Sequence, residues 1–191
     1  MKRILSVLLA MIAVLAIAAP AAAAAPERPR GSYSGISFQA YAGDCGRSQC
    51  TDYNVWAEQY TDSQGGEGTY VCVDVFTYST RTGRGTSASG CADGVAFSIA
   101  SDLSSASLPA TSFEICGRSC HTVTVAAALQ ATSGENTYRS RSTQTYDTCT
   151  YTYTDTGTSR EAAGTLTWDG TSKDAYGSIQ QYESTYSERC K

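Results

Sequence analysis

Eight cysteines, all of them beyond residue 44, constrain this chain of 191 residues more than any other feature. They are Cys45, Cys50, Cys72, Cys91, Cys116, Cys120, Cys149 and Cys190. An even count behind a secretory leader indicates disulfides rather than metal thiolates. Two pairs lie in near-identical loops, Cys45-Gly46-Arg47-Ser48-Gln49-Cys50 and Cys116-Gly117-Arg118-Ser119-Cys120. Their closeness predicts the local bridges Cys45–Cys50 and Cys116–Cys120. Cys72–Cys91 is then expected to tie neighbouring strands, and Cys149–Cys190 to anchor the C-terminal end.

The leader is read over residues 1–25: a charged start at Lys2 and Arg3, an apolar stretch over 4–19 and small residues over 21–25. Its loss takes the net charge from −4 to −6, because it holds two bases and no acid. No second apolar run is long enough to span a bilayer as a helix. No basic run is present either, which argues against nucleic-acid binding. The expected setting is secreted and extracellular, with a flexible N-terminal arm over 26–33 and a disulfide-bonded domain over 34–191.

Alternation of period two recurs along that domain. Ile36, Phe38 and Ala40 form one apolar set, Val71, Val73 and Val75 another. Val95, Phe97 and Ile99 repeat it, as do Val123, Val125, Ala127 and Leu129, and then Ala162, Gly164, Leu166 and Trp168. Such runs between Gly/Ser/Asp clusters predict antiparallel strands. Turns are expected at 63–68, 82–85, 133–136 and 155–159, and a short helical turn at 101–107. The fold class is all-β, an antiparallel β-sandwich (Ig-like or similar) stapled by disulfides. The repeated Cys-Gly-Arg-Ser loops, with Val55-x-Ala57 echoed by Val125-x-Ala127, suggest two related halves, 34–109 and 110–191.

Several motifs bear on possible chemistry. Arg47 and Arg118 in disulfide-pinned loops would suit a double-headed serine protease inhibitor, though rings this small leave little room for a protease-binding segment. Asp155-Thr156-Gly157 matches an aspartic protease signature but has no acid at the corresponding place in the first half, Arg81-Thr82-Gly83, and reads as a hairpin turn. His121 is the only histidine, so a Ser–His–acid triad would depend on it. A small secreted hydrolase is therefore the weaker alternative. Asp62, Glu67 and Asp93 lack the spacing of a calcium loop. No catalytic residue, metal ligand or cofactor is assigned.

The stretch 143–158 interleaves Thr and Tyr, placing Thr150, Thr152 and Thr154 on one strand face and Tyr151 and Tyr153 on the other. Trp56 falls opposite Val55 and Ala57, whereas Trp168 is in register with Leu166 and belongs to the core. Exposed Tyr and Trp stack on sugar rings, so Trp56, Tyr151 and Tyr153 are the candidate ligand-binding residues. The expectation is a monomeric, non-enzymatic binding or structural protein whose extracellular ligand is a polysaccharide or a protein.

Overall fold

The computed structural model describes the backbone of residues 31–146 and 149–190, and their side chains apart from those of 149 and 188–190. The expected leader lies outside the described residues. Ten strands follow one another: β1 (Ser32–Cys45), β2 (Gln49–Asp62), β3 (Glu67–Ser79), β4 (Gly85–Asp93), β5 (Ser98–Ile99), β6 (Ser105–Cys116), β7 (Cys120–Ala131), β8 (Asn136–Tyr146), β9 (Cys149–Trp168) and β10 (Thr171–Cys190). β1 begins inside the expected arm because Tyr33 already pairs with Ser184 and Asp62.

The all-β, antiparallel, disulfide-stapled class read from the sequence is the one the chain adopts. The ladder runs β10-β1-β2-β3-β4-β6-β7-β9, and β9 pairs with β10 to complete the circuit. Eight strands closed in this way leave an interior just wide enough for side chains. The thinnest seam is β4 to β6, joined by the single pair Ser89↔Cys116. β8 lies outside the circuit, on the edge of β9 that β7 has vacated.

The alternating apolar sets fill the interior. Phe38, Val55, Val73, Leu129, Leu166 and Ile179 are all buried there. Tyr53 of β2 meets Trp168 of β9 across the core with ring centroids 5.2 Å apart. Each fully buried aliphatic side chain contributes about 1.5–3 kcal/mol relative to exposure. Val95 and Phe97 pack on this core, but from a connecting segment rather than a strand, and only Ser98 and Ile99 pair with β6.

Two local expectations change. Residues 101–104 form a turn, not a helix, with Leu103 buried at φ 56°. The amide of Leu103 donates to the carbonyl of Ala100, and Ser105 starts β6. The stretch 155–159 is no turn but the middle of β9, paired without a break to β8 and β10. Its glycine serves another end: a Cβ on Gly157 would lie 2.3 Å from the Gln181 carbonyl oxygen and 2.9 Å from the Tyr138 ring. The boundary suggested between halves, near residue 109, falls inside β6 at a register shift between Leu108 and Thr111.

The bridges Cys45–Cys50, Cys72–Cys91 and Cys116–Cys120 are formed, each between residues directly opposite on neighbouring strands. Cys149 and Cys190 also stand opposite one another in the β9–β10 ladder, but their side chains lie outside the described residues.

Candidate outward-facing site

Directly opposed residues in antiparallel strands share a sheet face, so register carries face assignment from strand to strand. Followed across β3, β2, β1, β10, β9 and β8, it sorts the aromatic residues sharply. Twelve of the thirteen tyrosines, all but the inward Tyr53, share with Trp56 the face of these six strands that is turned away from the barrel core. This face is open around Tyr176 and buried at Ser37, Glu58, Tyr182 and Ser184. β4, β6 and β7 contain no tyrosine.

One transverse row organises this face. Gly68, Tyr60, Gly35, Tyr182, Gly157 and Tyr138 follow one another across the six strands, each paired with the next. Each tyrosine leans over a neighbouring glycine: a Cβ on Gly68 would come 2.6 Å from the Tyr60 hydroxyl, and one on Gly35 equally close to that of Tyr182. Below the row, Tyr182 donates a hydrogen bond to buried Glu58. Asp155 accepts hydrogen bonds from Ser184 at 2.5 Å and Ser140 at 3.1 Å. The Asp155 carboxylate is therefore a structural acceptor on the sheet.

Next to this row, around Trp56, lies a patch where aromatic rings flank hydrogen-bonding groups. Trp56 makes an edge contact with Tyr70 at 5.7 Å, and Tyr41 stacks on Tyr176 at 5.9 Å. Between the two ring pairs runs a polar chain. Gln39 Nε2 donates to Asn54 Oδ1 at 3.3 Å, and Asn54 Nδ2 donates to Asp74 Oδ2 at 2.7 Å. Burial raises the Asp74 carboxyl above the usual carboxylate range, partly offset by the Asn54 hydrogen bond. Burial, then the negative charge of Asp74, also raises the Tyr41 phenol. Tyr176 is 56% exposed, so this stack offers a ring to solvent.

All three sequence-derived candidates lie on this face, but not together. The register places Glu161 in the transverse row of Trp56, and Tyr153 is eight positions further along β9. At strand rise and spacing that separates Trp56 from Tyr153 by roughly 30 Å. Tyr151 and Tyr153 belong to a distal cluster, in which Tyr151 meets Tyr146 and Tyr153 stacks on Tyr186. Gln39, Tyr41, Asn54, Tyr70, Asp74 and Tyr176 were not singled out from sequence. Their only local signal was the outward half of the alternation whose inward half marked the core.

The remaining motifs are dispersed. Arg47 and Arg118 are exposed in hairpin connections closed by bridges with Cα separations of 4.1 and 4.0 Å. His121 is exposed near the start of β7, opposite Ile115. Asp62 caps its own turn, accepting from the amides of Gln64 and Gly66 at 2.8 Å. Glu114 lies near Cys116 and Cys120, but the bridge between these sulfurs removes them as thiolate ligands. Among the described residues no helix is long and apolar enough to cross a membrane.

No protein-family model matches the chain, and no curated protein matches it. Among solved structures it is similar to one from Nitrosomonas europaea described as a "putative AttH", at 10% identity and a TM-score of 0.33. That match covers 79% of this chain, which spans about half (51%) of the matched one. A likeness this remote carries no functional argument.

Proposed function

We propose that this is a secreted, non-enzymatic protein that binds extended polysaccharide through the outward face of β3, β2, β1, β10, β9 and β8. The observation that carries this reading is the segregation of aromatic residues. The barrel interior is mainly aliphatic, whereas Trp56 and twelve tyrosines lie on the opposite face of the sheet, where Tyr176 and Tyr146 are exposed and Tyr182 is buried. Aromatic rings stack on the apolar faces of sugars, and amide and carboxylate groups such as Gln39, Asn54 and Asp74 bond to their hydroxyls. The wide separation of Trp56 from Tyr153 favours a polymer over a single sugar. Three disulfides suit the oxidising environment outside the cell.

The test is co-sedimentation of the oxidised protein with insoluble polysaccharides and isolated cell walls, beside a Trp56→Ala variant. Binding that is specific and weakened at least about tenfold in the variant supports the reading, since losing a hot-spot aromatic costs about 2 kcal/mol or more. Absence of binding to every matrix overturns it.

A further inference from the structure

We infer that the polysaccharide recognised by the Trp56 patch bears free amines, an inference that rests on the proposed polysaccharide reading and adds the charge of the ligand to it. The distribution of ionisable side chains points that way. Among the described residues, no outward position of β3, β2, β1, β10, β9 or β8 is a lysine, arginine or histidine. The same positions hold seven acids. Glu58, Asp62 and Asp155 are taken up by hydrogen bonds within the sheet and its turn, while Asp74 lies inside the patch and the exposed Glu161 and Asp174 lie beside it. Exposed Asp93 of β4 stands opposite Tyr70 and extends the acidic border past Trp56.

The described basic side chains of the same strands lie on the other face. Arg139 and Arg141 of β8 alternate with outward Tyr138 and Ser140. Lys173 pairs with Asp44 at 3.0 Å and lies over the inward Tyr53 ring. Arg160 donates to the carbonyls of Ser133 and Asp102.

A surface of aromatic rings bordered by carboxylates, with no competing cation, is the arrangement that attracts an ammonium group. The ring faces contribute cation–π attraction and the acids contribute field. A neutral polysaccharide would use the rings and amides but gain nothing from the acids. A uronic or sulfated polymer would be repelled by them. A polymer of amino sugars with unacetylated amines uses every group on the patch: pyranose faces on Trp56 and Tyr176, hydroxyls on Gln39 and Asn54, and ammonium groups at Asp74, Asp93, Asp174 and Glu161.

The test uses the oxidised protein and three immobilised polymers: chitosan, fully N-acetylated chitin and polylysine. A second protein carries Asp93→Asn, Glu161→Gln and Asp174→Asn, all at exposed positions, and its unchanged thermal midpoint establishes that it is folded. The expected result is binding to chitosan at mildly acidic pH, at least about tenfold weaker on chitin. That binding should be lost as salt shortens the Debye length to about 3 Å near 1 M, and weakened at least about tenfold in the triple variant. Equal binding to chitin and chitosan, lost in Trp56→Ala, overturns the amine inference and leaves the polysaccharide reading standing. Binding to polylysine as strong as to chitosan overturns the sugar component. Binding to none of the three overturns the amine inference, and the polysaccharide reading then rests on the wider panel above.

Discussion

Tyr182 of β10 lies across Gly35 of β1, so close that a Cβ on residue 35 would come within 2.6 Å of its hydroxyl oxygen. From there the hydroxyl donates to Glu58 on β2, which binds three successive strands into one unit. Gly35→Ala cannot be absorbed by moving the phenol alone, because the new methyl would also lie 2.5 Å from the carbonyl oxygen of Gln59. It is expected to cost about 1–3 kcal/mol, as overpacking does, read as a fall in the thermal midpoint. Gly134→Ala is the control: nothing lies within 4 Å of a Cβ there, so its midpoint should stay close to that of the parent.

Removing only the Tyr182 hydroxyl separates packing from hydrogen bonding. Tyr182→Phe keeps the ring over Gly35 and deletes a donor to the buried Glu58. The expected loss is about 1–3 kcal/mol, the cost of weakening the pairing of a buried polar group. Urea unfolding of parent and variant measures it, and an unchanged midpoint would show that the contact contributes nothing.

Asp74 should make stability depend on pH in a defined direction. Burial holds its folded-state pKa above that of the unfolded chain. The folded protein therefore binds this proton more tightly. The contribution is complete below the unfolded value of about 3.9 and is lost as pH rises through the raised folded value. Asp74→Asn keeps an acceptor for Asn54 and removes the charge, so it should raise the thermal midpoint at neutral pH and abolish the part of the stability loss with rising pH that Asp74 contributes above its unfolded value. A midpoint lowered at neutral pH would contradict this assignment.

Tyr176 offers a test that separates binding from folding. Its ring is 56% exposed and stacks on Tyr41. Tyr176→Ala should change stability by no more than about 0.5 kcal/mol, as surface substitutions do, while weakening polysaccharide binding. Parallel melting and co-sedimentation measure the two effects, and unchanged binding would remove this ring from the site.

The fourth cysteine pair completes a pattern. Three pairs that are directly opposed across a ladder are bridged, and Cys149 stands opposite Cys190 in the same way. Peptide mapping of unreduced protein should therefore recover Cys149 linked to Cys190. Closing the loop between them is expected to contribute about 3–4 kcal/mol in the chain-entropy account. Recovery of either cysteine as a free thiol would break the pattern.

Much of this architecture was legible locally. Val55 and Ala57 against Trp56, and Leu166 with Trp168, show their faces in the sequence because alternation of period two is a property of a single strand. The close Cys45–Cys50 and Cys116–Cys120 spacings marked two hairpins for the same reason. Asp155-Thr156-Gly157 misled, because Asp and Gly are turn residues by propensity. Here the glycine makes room for Tyr138, a contact from a neighbouring strand. The tightest turn of the longest hairpin is instead Asp169-Gly170, with both residues at positive φ, 46° and 76°.

The sequence by itself determined that this is a disulfide-bonded antiparallel β protein, and on which side of its own strand each of Trp56, Tyr151 and Tyr153 lies. Tertiary structure alone decided which strands are neighbours. Tyr33 meets Ser184, and Gly35 meets Tyr182, across nearly the whole length of the domain. That pairing depends on hydrogen-bond register between distant segments and on closure of the ladder through β9 and β10. Local alternation is blind to both. One half of the alternation in each of six strands therefore reads separately as ordinary polar and aromatic positions, and only assembly in register makes these one tyrosine-rich face, open around Tyr176 and buried around Tyr182.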